Sequence, residues 1–170
     1  MELTILSAIA LSAILSSTQD SKWVNGEDRP RLEAVAQVMA QTVLTNGCVV
    51  QEPDCEVKTV LALVAVDLHE SGFAADVQDC TRCVLGGPWC DHGRAQTAYQ
   101  MQYNNWGGHS KAAICKDFSL ATTLAWKALN KPKAGWKGKF LTYAGRSGSG
   151  RELLNTHQTL ILRWTKKSGS

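Results

Sequence analysis

The chain has 170 residues, 44% of them hydrophobic, and a formal net charge of +3, with 18 Lys and Arg against 15 Asp and Glu. This length supports one domain with a substantial core, and the composition excludes a disordered chain. The weak, scattered positive charge excludes the dense basic surface of a nucleic-acid-binding protein, and it is compatible with an acidic partner such as a cell wall.

The N-terminal segment contains an apolar run over 3–15 that is shorter than the roughly 20 residues of a membrane-spanning helix, so no stable membrane insertion is expected. The run has the length of a signal-peptide core, but Glu2 stands where positive charge is usual. Residues 1–20 are therefore interpreted either as a first helix packed on the domain or as a signal-like segment. The domain itself is assigned to 21–165, and 166–170 to a flexible tail.

Helical periodicity dominates the domain. Apolar residues from Leu32 to Val43 recur at helical spacing, after the start signal Pro30 and before the stop signal Asn46-Gly47. The next helix is predicted over 57–70. Its apolar residues cover most of its circumference, which indicates a buried central helix.

The segment 73–110 is rich in Gly, Cys, Asp and Asn and is predicted as a loop-rich insertion, with a small hairpin as one alternative. Helices resume at about 117–129, with Ser119 as the candidate cap, and at 151–165. The stretch KFLTYAGRSGSG between them is interpreted as a short apolar piece that breaks into a Gly/Ser turn. The predicted fold class is mainly α: one helical domain with a loop-rich insertion after its central helix.

The six cysteines are an even number, which favours disulfides in an oxidising, extracytoplasmic compartment. They are Cys48, Cys55, Cys80, Cys83, Cys90 and Cys115. A zinc site is one alternative, because three of these cysteines and His92 form the pattern C-x2-C-x6-C-x-H, and free thiols are the other. Six cysteines allow fifteen pairings. The preferred set joins Cys48 to Cys55 and makes two bridges among the other four.

Glu70 is the strongest candidate for chemistry. It ends the apolar helix, near the negative end of the helix dipole, and both the dipole and burial would raise its pKa. A Glu that is protonated near neutral pH suits a general acid that cleaves glycosidic bonds. The alternative is a solvated Glu at a helix end. His69 precedes it but projects about 100° away around the helix and is interpreted as structural.

Three short motifs occur in an order and spacing that resemble the lysozyme-like superfamily, closest to lytic transglycosylases and goose-type lysozymes. They are ESGF at Glu70, GRAQTAYQMQ around Gln100 and LTYAG at Tyr143, and together they span about half of the chain. The resemblance implies a lysozyme-like α+β fold, with Glu70 as the catalytic acid/base and Ser71, Gln100 and Tyr143 as substrate-binding residues. The chain departs from the family pattern at three positions, Ala95 for Ser, Thr97 for Gly and Ala144 for Asn.

Two aromatic residues near the second motif, Tyr99 and Trp106, are added as candidate substrate contacts, with a place in the core as the alternative. A second carboxylate would come from Asp76, Asp79 or Asp91, although each fits a turn or the surface better. The resembled family works with a single Glu, and either a muramoyl hydroxyl or water attacks the sugar. The sequence does not distinguish these two reactions.

The function implied by the resemblance is cleavage of peptidoglycan between N-acetylmuramic acid and N-acetylglucosamine, by a monomer without cofactor or metal. It would act outside the cytoplasm, or on the cell wall as a phage-encoded endolysin. One alternative is a catalytically silent wall-binding or virion protein of the same fold. The other is a small zinc-stabilised helical interaction module.

Overall fold

The computed structural model describes residues 1–21, 24, 26–84, 87, 90, 95–144 and 147–169. The described chain is mainly helical and confirms the predicted mainly-α class. Its helices are α1 Leu3–Thr18, α2 Arg29–Asn46, α3 Cys55–Glu70, α4 Ala75–Gln78, α5 Lys111–Lys116, α6 Phe118–Leu129, α7 Gly135–Ala144 and α8 Ser147–Ser168. Two short 3-10 turns occur at Gly26–Asp28 and Tyr103–Asn105. Among the described residues, no helix is long and apolar enough to cross a membrane.

Helix α3 lies at the centre of the molecule. All of its residues from Val57 to Asp67, except Lys58, are buried, as the all-round apolar pattern of this segment predicts. Helices α1, α2, α6 and α8 pack against it. Helix α1 contributes Leu6 and Ile14, both fully buried, to the same core. The central helix therefore delivers its last residue, Glu70, from the middle of the core to the surface.

The insertion after α3 contains a minimal antiparallel hairpin. Strand β1, Ala95–Gln96, pairs with strand β2, Met101–Gln102, and Ala95 lies opposite Gln102. Thr97 and Gln100 in the connecting turn have positive φ values of 68° and 45°, which the side chains of non-glycine residues disfavour. The turn that carries the candidate Gln100 is thus held in a conformation that its surroundings must stabilise.

All six cysteines form disulfides, which are Cys48–Cys55, Cys80–Cys115 and Cys83–Cys90. The preferred pairing is confirmed, and the alternative of a zinc site with cysteine ligands is wrong because no cysteine is free. The described residues also contain no cluster of His, Cys, Asp and Glu that would hold a metal ion, while His92 lies outside them. Three disulfides fit an oxidising compartment.

Three local predictions are wrong. Of the stretch predicted as an apolar piece with a Gly/Ser turn, 139–144 belong to α7 and 147–150 to α8, while 145–146 lie outside the described residues. Helix α8 continues to Ser168, so the first part of the predicted tail is helical. The side chain that caps α6 is Asp117, which accepts a hydrogen bond from the Leu120 amide, and Ser119 lies inside the helix.

Gly150, near the start of α8, has a packing role that explains the wrong prediction. A Cβ atom added at Gly150 would lie only 2.9 Å from the Leu141 Cα atom of α7, whereas one added at Gly148 would meet nothing within 4 Å. Gly150 therefore allows α7 and α8 to approach closely. A single sequence does not distinguish such a glycine from a turn glycine.

Gly150→Ala is expected to lower the free energy of unfolding by about 1–3 kcal/mol, because the new methyl group meets backbone that cannot move without repacking. Gly148→Ala is the matched control. It is expected to gain roughly 0.5–1 kcal/mol from helix propensity alone. Urea denaturation of both variants measures the difference, and equal effects would show that the helix contact is not tight.

Candidate active site

A pocket of about 220 Å³ opens at the end of α3. Its lining consists of Glu70, Ser71, Gly72, Val77, Arg82, Cys90 and Gln100. Three of the predicted site residues, Glu70, Ser71 and Gln100, therefore meet in one pocket although they come from two separate motifs. The loop-rich insertion supplies the wall opposite α3.

The pocket partly shields the Glu70 carboxyl from water. The residue is half-buried, and this burial raises the pKa of Glu70 to about 7. A carboxyl group with this pKa is protonated in a large fraction of molecules at neutral pH, which is what proton donation to a leaving group requires. Burial is one of the two causes that the sequence predicts for this position, the other being the helix dipole.

Gln100 is positioned by the hairpin turn and two disulfides. Its side-chain amide donates to the Thr97 carbonyl at 3.1 Å and lies 3.5 Å from the Cys90 Sγ atom. The Thr97 amide donates in turn to the Cys80 Sγ atom at 3.3 Å. The Cys80–Cys115 bridge thus ties this turn to α5, and the Cys83–Cys90 bridge closes the pocket wall beside it.

Tyr143 lies in the last turn of α7. Its hydroxyl donates to the Tyr99 carbonyl at 2.7 Å. Burial, followed by the charge of the nearby Glu70, raises the pKa of Tyr143 well above its ordinary value. Tyr143 is therefore close enough for the charge of Glu70 to affect its pKa. Its hydroxyl supports the backbone at Tyr99, and Tyr143 does not line the pocket.

The predicted substrate contacts at Tyr99 and Trp106 are corrected by their burial. Tyr99 is fully buried and its hydroxyl shares a hydrogen bond with Thr122, while the Trp106 indole donates to the Met101 carbonyl at 2.9 Å. Both rings belong to the core under the loop. Tyr99 and Trp106 therefore serve packing, because the polar ends of both side chains already have protein partners.

Ser71 lines the pocket, but its hydroxyl is committed to the protein. It donates to the Asp67 carboxylate and accepts from the Phe73 amide at 3.0 Å. These bonds fix the turn after α3, in which Gly72 and Phe73 both have a φ of 59°. Ser71 thus helps to position Glu70 indirectly, by fixing the conformation of the chain at the end of α3.

Asp67 is the site residue that the sequence interpretation missed. It is fully buried one helical turn before Glu70, and burial raises the pKa of Asp67 to about 7 despite the lowering effect of the Ser71 hydroxyl. The Gln78 amide lies 3.4 Å from its second oxygen, and the Arg31 guanidinium bonds to the Gln78 side chain. Asp inside an otherwise apolar helix was the available signal, because a buried carboxyl needs partners.

The other acidic and basic candidates have structural partners. Asp76 forms an ion pair with Arg82 at 2.6 Å, and Asp79 accepts from Thr81 in a turn. Asp91 lies outside the described residues. His69 faces Glu152 at 3.8 Å, away from the pocket lining. Neither Asp76 nor Asp79 lines the pocket, so neither provides a second carboxylate beside Glu70.

His157 is a core histidine, and the structure gives it no role in the site. It is fully buried against Trp136, with its Nε2 atom 2.8 Å from the Lys58 carbonyl. Because that carbonyl accepts, Nε2 carries the proton. Burial lowers the pKa of His157 to about 4.

The raised pKa values of Asp67 and Glu70 predict a dependence of stability on pH. Between about pH 4 and pH 7 the folded chain keeps protons that the unfolded chain has released, so ionisation of these groups lowers the free energy of unfolding as pH rises. Each carboxyl contributes up to about 1.4 kcal/mol per pH unit in this window. His157 has the opposite slope, because its pKa is lowered.

The contribution of each carboxyl is isolated by comparing the stability of a variant that lacks it with the stability of the wild type. Relative to the wild type, Asp67→Asn and Glu70→Gln should each become more stable with rising pH, by up to about 1.4 kcal/mol per pH unit between about pH 5 and pH 7. The Gln78 contact that Asp67→Asn weakens adds a constant offset and leaves this slope unchanged. Urea denaturation at several pH values measures the slope, and a difference that does not change with pH would contradict the buried, protonated state.

No protein-family model, curated protein or solved structure matches this chain. The interpretation of the pocket therefore rests on its motifs and its geometry.

Proposed function

We propose that the chain cleaves the glycan strand of peptidoglycan, with Glu70 as the single general acid/base of a lytic transglycosylase or lysozyme-type muramidase. The observation that carries the proposal is the placement of a half-buried Glu70, with a pKa of about 7, in the same pocket as Gln100. By the resemblance to the lysozyme-like superfamily, Glu70 matches the catalytic acid/base and Gln100 matches a substrate-binding residue.

In the proposed reaction, protonated Glu70 donates its proton to the oxygen that links N-acetylmuramic acid to N-acetylglucosamine. The C–O bond breaks and the sugar becomes an oxocarbenium-like species. The Glu70 carboxylate then accepts a proton from the attacking group. If that group is the muramoyl 6-hydroxyl, a 1,6-anhydro sugar forms. If it is water, a reducing end forms.

A mechanism with a single Glu is favoured by the acids around the pocket. Glu70 is the only carboxylate among the described residues that line it. Asp67 is fully buried and its carboxylate is bonded to Ser71 and Gln78. A two-carboxylate glycosidase would require a second acid that faces the sugar about 5–10 Å from the first.

A catalytically silent wall-binding or virion protein is the second candidate function. Ala95, Thr97 and Ala144 replace polar or glycine residues of the resembled motifs, and Thr97 holds a positive φ of 68° where the family has glycine. The pocket of about 220 Å³ is also smaller than the roughly 300–1,000 Å³ of typical ligand sites. The loss of the polar motif residues favours a silent protein, and the small volume is consistent with a site that does not enclose a sugar for cleavage.

Incubation of the full chain with purified peptidoglycan, followed by mass spectrometry of the soluble products, tests the proposal. Products with 1,6-anhydro ends would identify a transglycosylase, and reducing ends a muramidase. Cosedimentation with the wall and no soluble glycan would support the silent binder. Neither products nor cosedimentation would refute both candidates.

A further inference from the structure

A second depression, larger than the candidate active site, lies between α1 and the C-terminal half of α8. It measures about 640 Å³, within the range of typical ligand sites. Its apolar lining includes Ile5, Ala8 and Ile9 from α1, Leu61 from α3, and Leu160 and Trp164 from α8. We call it the α1/α8 groove. Glu70 and Gln100 do not line it, so it is separate from the pocket described above.

The outer side of α1 carries no charge. Leu6, Ala10 and Ile14 face the core, while the opposite side is formed by apolar and small residues, and the whole span Leu3–Thr18 contains no Asp, Glu, Lys or Arg. Two apolar lining residues are well exposed, Met1 at 50% and Ile5 at 52%. Exposed apolar residues around an apolar depression mark an interaction site more often than a plain surface.

The charged side chains that line the groove come from α8 alone and are positive, while the N-terminal ammonium of Met1, also a lining residue, is paired with Glu56 at 2.9 Å. Arg163 and Lys167 are lining residues, and no Asp or Glu is among the described residues that line the groove. Lys166 adds a further charge at the same end of α8, and the helix has no acidic residue after Glu152. The Lys167 ammonium lies 3.2 Å from the Ser12 hydroxyl, which places it beside the middle of α1.

Lys167 also separates the groove from a neighbouring depression. This neighbouring depression measures about 440 Å³ and is lined by Leu11, Leu15 and Ser16 of α1 together with Lys167. The Lys167 cation thus lies between two depressions whose linings contain no acidic side chain among the described residues. That arrangement complements an amphiphile with a negative head and apolar chains, because the head pairs with the cation while the chains leave water.

We propose that the α1/α8 groove binds anionic lipid at a membrane surface. The lipid phosphate lies at Arg163 and Lys167, and an acyl chain occupies the hollow over Leu160 and Trp164. The binding is peripheral, since it uses the side of a packed helix. It is independent of the proposed glycan cleavage, because the groove shares no lining residue with the Glu70 pocket.

Cosedimentation of the full chain with vesicles tests this proposal. The chain should bind vesicles that contain phosphatidylglycerol and not vesicles of phosphatidylcholine alone. Each cation at the surface is worth about a fivefold change in affinity, so the double variant Arg163→Gln/Lys167→Gln should bind about 25-fold more weakly. Ala8→Glu, which puts a carboxylate on the exposed floor of the groove, should abolish binding. Thr4→Glu places the same charge at another lining position if Ala8→Glu does not fold.

The matched control is Lys127→Gln/Lys133→Gln, which removes the same charge from exposed positions outside the groove. It should bind as the wild type does, and an equal loss would show diffuse charge attraction and overturn the proposal. Failure of the wild type to bind phosphatidylglycerol, or wild-type binding by Ala8→Glu, would also overturn it. So would a lipid-free wild-type dimer that Ala8→Glu converts to a monomer, because a second copy would then fill the groove.

Discussion

Glu70→Gln is expected to reduce the rate of peptidoglycan solubilisation by at least about 100-fold, the lower end of the contribution of a positioned general acid. The amide has nearly the same shape as the carboxyl but does not donate a proton to the leaving oxygen. The fold should persist, because the carboxyl is partly desolvated and an uncharged side chain suits its surroundings. Turbidity of a peptidoglycan suspension and product yield by mass spectrometry measure the rate, and thermal unfolding checks the fold.

The pH profile adds a second readout for the same residue. Because the pKa of Glu70 is raised to about 7, the protonated acid is abundant below that pH and is lost above it. The wild-type rate should therefore fall as pH rises through about 7. Any residual activity of Glu70→Gln should not show this fall in rate as pH rises through about 7.

Glu152→Gln is the matched control, since Glu152 is an exposed carboxylate on α8 that does not line the pocket. It should solubilise peptidoglycan at the wild-type rate. Wild-type activity in Glu70→Gln, or an equal loss in Glu152→Gln, would refute the assignment of Glu70 as the acid. Products from the wild type with no effect of Glu70→Gln would leave cleavage standing and move it to another site.

Removal of the Cys80–Cys115 disulfide, as Cys80→Ala/Cys115→Ala, is expected to cost about 4 kcal/mol of unfolding free energy. The bridge spans 35 residues, and its loss releases the corresponding loop entropy to the unfolded chain. The variant also loses the sulfur that accepts from the Thr97 amide, so the turn that carries Gln100 loses a support. Guanidinium denaturation measures the stability, and the solubilisation assay measures the effect on the site.

The Cys48–Cys55 bridge supplies the control, because it spans only 7 residues and contributes no residue to the pocket lining. Cys48→Ala/Cys55→Ala should lose about 2.5 kcal/mol by the same entropy relation and keep the activity of the pocket. A larger loss at Cys48–Cys55 than at Cys80–Cys115 would contradict the expected order. It would indicate that contacts of the folded state outweigh loop length.

The central helix and its terminal acid were predictable from the sequence. The apolar residues between Val57 and Leu68 cover most of the circumference, so burial followed from the pattern alone, and with it the raised pKa of Glu70. The presence of disulfides and the Cys48–Cys55 bridge were also predictable, because an even set of cysteines favours bridges and these two lie close in the chain, whereas the pairing of the other four cysteines was left open and is decided by the fold.

The sequence was a poor guide where a residue type has two uses. Gly150 reads as a turn glycine, yet it lies in α8, where its missing side chain lets α7 approach. Tyr99 and Trp106 read as sugar-binding aromatics, yet both are buried under the hairpin. The sequence shows that an aromatic ring or a glycine is present. Whether that residue lies in the core, at the surface or in a helix contact depends on elements that come from elsewhere in the chain.

The sequence by itself determined that an acid would end a buried helix, because helical periodicity is a local property and burial follows from it. Only the tertiary structure decided which groups meet that acid. Gln100 is brought to Glu70 by a strained turn and two disulfides, and Asp67 is held by Gln78 and, through it, by Arg31 of α2. Contacts between residues distant in the chain depend on the packing of whole elements, and a local pattern does not encode the partner.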